Sequence, residues 1–164
     1  MPKIPGKIIL YLILFFLIFA GVKAWNSGEP LKKAEDLIRL FPADLEWKSN
    51  PTLHGLETAI LVGNPNAPEL YIQRIKIPAG TRLVPHSHPN SMRMVTVLSG
   101  TLYFAFGEKF NESKLTALPP GTFFTEPKDL PHYSMAKEDV ILQFNAIGPA
   151  GTNYIESRSK TKEE

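Results

Sequence analysis

From Ala59 onward the chain is a succession of short runs rich in β-branched and aromatic residues, each cut off by Gly, Pro or Asn. "AILVG" stops at "NPNAP". "LYIQRIKI" alternates, with Tyr71, Gln73, Ile75 and Ile77 on one face and Ile72, Arg74 and Lys76 on the other. "MVTVLSGTLYFAFG", "TFFTEP", "PHYSMAKEDVILQFNAIG" and "TNYI" continue the pattern. A period of two with early turn residues excludes long helices here and predicts an all-β sandwich or barrel. Two turns are expected to close hairpins. One is Ser99-Gly100. The other is Lys137-Glu138; as a two-residue turn it sets Ala136 opposite Asp139, Ser134 opposite Ile141 and His132 opposite Gln143. His132 and Gln143 then share a face, where a glutamine can orient an imidazole or a bound molecule. The aromatic residues Tyr103, Phe104, Phe106, Phe123, Phe124, Tyr133 and Phe144 are expected to pack or line the barrel.

The chain before Ala59 is different. "MPKIPGK" is a basic start, "IILYLILFFLIFA" (Ile8–Ala20) is unbroken apolar sequence, and "GVKAW" follows, with Val22 and Ala24 placed like the −3 and −1 residues of a peptidase site. This is the layout of a secretory signal peptide, with an uncleaved N-terminal anchor as the alternative. Either way the rest is expected outside the cytoplasm, periplasmic or secreted, touching a membrane only if the segment stays attached. "LKKAEDLIRLF" (Leu31–Phe41) has apolar residues at 31, 34, 37, 38 and 41, one face of a short helix between Pro30 and Pro42. Such a helix packs on the β-domain or on a partner subunit, which leaves a homodimer open. The expected organisation is a signal or anchor over 1–24, a helical arm over 25–50, a β-domain over 51–156 and a disordered tail over 157–164.

Composition narrows the function. There is no cysteine, so disulfides, thiolate catalysis and Cys-ligated metals are excluded. Of 18 basic residues, Lys3, Lys7 and Lys23 lie in the leader, and the remaining 15 face 16 acidic ones. That near-neutral balance, with no basic stripe, gives no case for nucleic-acid binding.

The histidines carry the chemistry. His86 and His88 are two apart on a strand, so both point to one face and can reach one metal ion. His132 is a third imidazole in a strand-like segment. His54, in "PTLHGL", stands alone and is expected in a loop. The stretch Gly80-x5-His86-x-His88-x4-Arg93-x6-Gly100 resembles the first motif of the cupin superfamily, G-x5-HxH-x3,4-E-x6-G. "PPGTFFTEPKDLPH" resembles the second, with Pro120-Gly121, Pro127 and the late His132; Ala136 stands where that motif usually has Asn. With "IGPAGTNY" near the end, the whole is similar to small exported single-domain bacterial cupins. The resemblance implies a small jelly-roll β-barrel with a divalent metal (Fe, Mn, Zn or Ni) inside, held by three His and one Glu.

Arg93 occupies the glutamate's place, or Met92 with the shorter spacing, and neither supplies a carboxylate. Three readings follow. A three-His site keeps open positions for water or substrate; or Glu126, at the end of "TFFTE", replaces the missing ligand; or metal is lost and Arg93 with the histidines binds an anion. The functional expectation is a metal-dependent oxygenase or isomerase acting on a small polar or anionic molecule, with Arg93 and Gln143 contacting it. The alternative is a non-catalytic binding or sensing module, with or without metal.

Overall fold

Strand alternation sorts the β-domain into an inner and an outer face, and the computed structural model shows what each meets. It describes residues 37–50 and 55–155. The signal or anchor segment, residues 31–36 of the expected helix, His54 and the tail from 157 lie outside the described residues. The strands are β1 (Lys48–Ser49), β2 (Glu57–Val62), β3 (Leu70–Ile77), β4 (Arg82–Ser87), β5 (Arg93–Ser99), β6 (Leu102–Phe106), β7 (Thr116–Leu118), β8 (Phe123–Glu126), β9 (His132–Ala136), β10 (Val140–Ile147) and β11 (Asn153–Tyr154). They form two sheets, ordered β1-β2-β3-β10-β5-β8 and β11-β4-β9-β6-β7. Every pairing is antiparallel. The fold is an all-β jelly roll.

Between the sheets lies the core: Leu56, Ile77, Val95, Val97, Leu102, Phe104, Ala136, Val140, Leu142 and Phe144. Val95, Val97, Leu142 and Phe144 are inward positions of β5 and β10, and those strands pair in the register Val97–Leu142 and Val95–Phe144. Alternation then turns Thr96 and Gln143 to the outer face. Phe123, opposite Thr96, shares that outer face and is 62% exposed, so it is not barrel lining. Phe106, at the end of β6, is also largely exposed.

Neither expected hairpin forms. β5 and β6 belong to different sheets, as do β9 and β10. The tight turns at Ser99-Gly100 and Lys137-Glu138 are corners that carry the chain from one sheet to the other. His132 therefore pairs with His86 on β4 and Phe106 on β6, and Gln143 pairs with Arg74 on β3 and Thr96 on β5. Local sequence is the same for a hairpin turn and a corner; only the distant partners differ. The two corners lie against each other. Thr101 N donates to Glu138 Oε1 at 2.9 Å, and Gly100, at φ +68°, comes so close to the Asp139 carbonyl that a Cβ would fall 2.2 Å from its oxygen.

The described part of the expected helix, residues 37–41, is not helical. Phe41 precedes Pro42, and the proline ring disfavours helical backbone in the residue before it; Phe41 is extended, at φ −79° and ψ 158°. A single 3-10 turn, Pro42–Asp44, follows, with Phe41 N donating to Asp44 Oδ2 at 2.8 Å.

Candidate metal centre

β4 presents His86, and His88 follows directly after its last residue. β9 opens with His132, directly across from His86. The β4–β9 register slips by one residue between Leu83 and His86, around Pro85, which has no N–H to give the ladder. The three rings converge, with centroids 4.5 to 5.1 Å apart, and one nitrogen from each lies within 4.8 Å of the others. From the opposite sheet β8 contributes Glu126, 6% exposed, and β5 contributes Arg93, its cross-strand neighbour.

The backbone fixes the imidazoles. His86 Nδ1 lies 2.7 Å from the Val84 carbonyl, His88 Nδ1 2.8 Å from the Gly151 carbonyl, and His132 Nδ1 3.0 Å from the Leu130 carbonyl. A carbonyl only accepts, so each Nδ1 carries a proton, and each ring turns its Nε2 away from that bond. His88 Nε2 and His132 Nε2 are buried without a hydrogen-bond partner, and so is Glu126 Oε2. Glu126 Oε2 stands 3.3 Å from His88 Nε2, and Oε1 stands 3.6 Å from His132 Nε2. Electron-rich atoms this close need positive charge between them. A proton on His88 answers one contact and leaves His132 Nε2 unmet; a cation answers them together. The donor set, imidazole nitrogens plus a carboxylate, suits a divalent transition metal, whose bonds to such ligands are about 2.0–2.2 Å. The residues present therefore fit a metal.

Protonation agrees with this. Burial, reinforced by neighbouring His132, lowers His86 to about 4. Burial also lowers His132, outweighing the opposite pull of Glu126 and the Leu130 carbonyl. For Glu126, burial acts upward, but the His88 imidazole, followed by His132 and Arg93, acts downward and prevails, and its carboxyl stays below the ordinary range. At neutral pH the site holds neutral His86 and His132 and an ionised carboxylate, the forms that ligate metal.

Arg93 turns into the cavity with its side chain only 12% exposed. Its Nη1 is 3.9 Å from Glu126 Oε2, its Nη2 donates to the Gly151 carbonyl at 3.4 Å, and its guanidinium carbon is 5.7 Å from the Phe144 ring centre. At that separation the gross attraction to Glu126 is on the order of 4 kcal/mol for an effective dielectric of 20, before desolvation is counted. The cavity beside these groups measures about 450 Å³. Ile75, Ile77, Leu83, Leu142 and Phe144 supply its apolar wall, and Gln73, Thr58, Thr152 and Tyr154 its polar rim.

Of the residues singled out from sequence, His86, His88, His132, Glu126 and Arg93 come together. Gln143 does not: it lies on the far face of β10 and accepts from Arg74 Nε at 3.2 Å, so it cannot reach the cavity. Its placement beside His132 depended on the hairpin that the jelly roll replaces by a corner. Sequence reasoning missed the three carbonyls. Two had a signal: "VPH" and "LPH" place a proline between each histidine and its acceptor, and a fixed proline φ presets the return of Nδ1 to the preceding residue's carbonyl. The third acceptor, Gly151, is 63 residues from His88 and had none.

Residues 73–147 match the family model described as a cupin domain. No curated protein is similar enough to match the chain. Solved structures share its fold at low identity. The polyketide cyclase RemF from Streptomyces resistomycificus is 14% identical with a TM-score of 0.60, over 75% of this chain and 88% of that one. An uncharacterized conserved protein with a double-stranded β-helix domain from Klebsiella pneumoniae is 20% identical with a TM-score of 0.54, over 73% and 98%. Salicylate 1,2-dioxygenase from Pseudoaminobacter salicylatoxidans, in complex with gentisate, is 17% identical with a TM-score of 0.52, over 64% of this chain and 30% of that one. Two motifs in order, two sheets in jelly-roll topology, three converging histidines and the family match mark residues 73–147 as a cupin domain.

Proposed function

We propose that this cupin domain holds a divalent metal through His86, His88 and His132, with Glu126 as the carboxylate, and binds a small anionic molecule beside it. The observation that carries the reading is the set of buried, partnerless Nε2 and Oε2 atoms facing one another while every Nδ1 is tied to a carbonyl. A metal in this place polarises an oxygen-bearing ligand as a Lewis acid. The chain's own residues do the rest. Arg93 holds the negative end of the ligand, the Ile75–Leu142–Phe144 wall keeps water from it, and Tyr154 at the rim is the titratable side chain free of the ligand set. An oxygenase or isomerase reaction on a small carboxylate is the activity this arrangement supports.

A second reading, a non-catalytic binding or sensing module, is favoured by one observation. Among the described residues lining the cavity, Tyr154 is the sole proton-transfer candidate outside the proposed ligands, and it is 42% exposed. Metal analysis of untagged protein tests the metal site itself. Wild type should carry about one metal per chain, and His132→Ala should lose it; equal metal in the two proteins sinks the site. We further propose that the chain works outside the cytoplasm after cleavage following Ala24, on the strength of its basic start and apolar run. Intact-mass measurement of exported protein should find Trp25 first, and a mass retaining Lys3 and Lys7 would overturn cleavage.

A further inference from the structure

Glu126 stands between two claimants. The same oxygen, Oε2, faces His88 Nε2 at 3.3 Å and Arg93 Nη1 at 3.9 Å, and it makes a proper hydrogen bond to neither. Arg93 has one hydrogen bond, a long one to the Gly151 carbonyl, for its five N–H groups. Among the described residues lining the cavity, Arg93 and Glu126 are the only aspartate, glutamate, lysine or arginine side chains. Their opposite charges cancel. A divalent ion on the triad leaves the cavity with two positive charges in excess, in surroundings where such an excess is costly.

We infer that Glu126 is a shared anion, paired with Arg93 in the metal-free protein and drawn to the triad when metal binds, so that Arg93 is released to seat the carboxylate of a small metal-chelating acid. The inference rests on the metal reading above and adds what that reading lacks: a coupling between the two binding events and a ligand class. A mono- or dicarboxylate with a second oxygen beside the carboxylate, of the 2-oxo or 2-hydroxy acid kind, offsets the excess charge and offers one group to the triad and one to the guanidinium. Arg93 can meet it with two parallel N–H bonds. Because coupling is reciprocal, the acid should also tighten metal binding.

Chelation alone makes anion binding depend on metal, so the decisive measurements avoid metal. Oxalate is titrated calorimetrically into metal-free wild type, Glu126→Gln and the double variant Glu126→Gln/Arg93→Met. Glutamine keeps the shape of Glu126 and removes the competing charge. Glu126→Gln should bind oxalate at least about tenfold tighter than wild type, and the double variant should lose that gain. Separately, Zn2+ is titrated without anion into Arg93→Met. Freed of its rival for Glu126, the triad should bind Zn2+ about tenfold tighter than in wild type; this arm decides alone if Glu126→Gln does not fold. Oxalate affinity unchanged in folded Glu126→Gln, or Zn2+ affinity unchanged in Arg93→Met, overturns the sharing. Neither result touches the metal reading, which stands or falls on the metal content of His132→Ala.

Discussion

Three identical side chains make the centre, and what distinguishes them from ordinary histidines is the environment of each ring nitrogen. The spacing of His86 and His88 was legible because strand alternation is a local rule, and Glu126 was legible as the carboxylate that ends the "TFFTE" strand ahead of His132. The acceptors were not, because backbone carbonyls carry no residue signature; the Gly151 carbonyl reaches His88 only through the tertiary fold. Burial of these rings gives a pH signature. The folded-state value of His86 is about 4 against an ordinary 6.5, and His132 is lowered too. Between those values the unfolded chain binds more protons than the native one, so stability rises with pH across the window. Glu126, lowered in the fold, acts in the same direction: its contribution is present above its unfolded value and is lost as pH falls through its folded one. Metal-free protein should therefore melt at steadily lower temperature from pH 6.5 to pH 4, and His86→Ala should flatten that slope. A melting temperature independent of pH in this window would show that the rings are not desolvated as described.

The elements themselves were legible, and their partners were not. Alternation in "LYIQRIKI" identified β3 and its inward face, since Ile75 and Ile77 border the cavity and Arg74 lies opposite. The turns at Ser99-Gly100 and Lys137-Glu138 were found as turns and assigned the wrong geometry, because a corner and a hairpin use the same residues. What separates them is contact between corners, which Gly100 makes possible. At φ +68° an L-residue pays roughly 1–2 kcal/mol; at Gly100 the added Cβ also meets the Asp139 carbonyl at 2.2 Å and Val140 Cγ2 at 3.0 Å. Gly80 is the control, at φ +79° with nothing within 4 Å of a built Cβ. Urea denaturation should show Gly80→Ala losing about 1–2 kcal/mol and Gly100→Ala losing clearly more. Equal losses would mean that the corners do not bear on one another.

On the scale of the whole domain, the centre spans the gap between the two sheets. His86 and His132 sit on the five-stranded sheet, with His88 just past the end of β4; Glu126 and Arg93 come from the six-stranded one. The apolar core holds the sheets together along Val95, Val97, Leu102, Phe104, Leu142 and Phe144. At the centre, buried polar atoms without partners work against that packing, since each such atom costs about 1–3 kcal/mol. The jelly roll is therefore locally weakened where these side chains meet, and a metal bound there would tie the two sheets together. Unfolding must break that tie, so metal should stabilise the domain by mass action. Free metal at a hundred times its dissociation constant contributes about 2.7 kcal/mol. For a domain of this size that corresponds to a melting temperature raised by about 10 °C. His132→Ala should abolish the rise. Glu126→Gln should reduce it at equal metal concentration, because the weaker ligand set no longer reaches the second sheet with a charge. A Zn2+ titration followed by thermal unfolding measures all three. A full rise in Glu126→Gln would confine the metal to the five-stranded sheet and leave Glu126 to Arg93 alone.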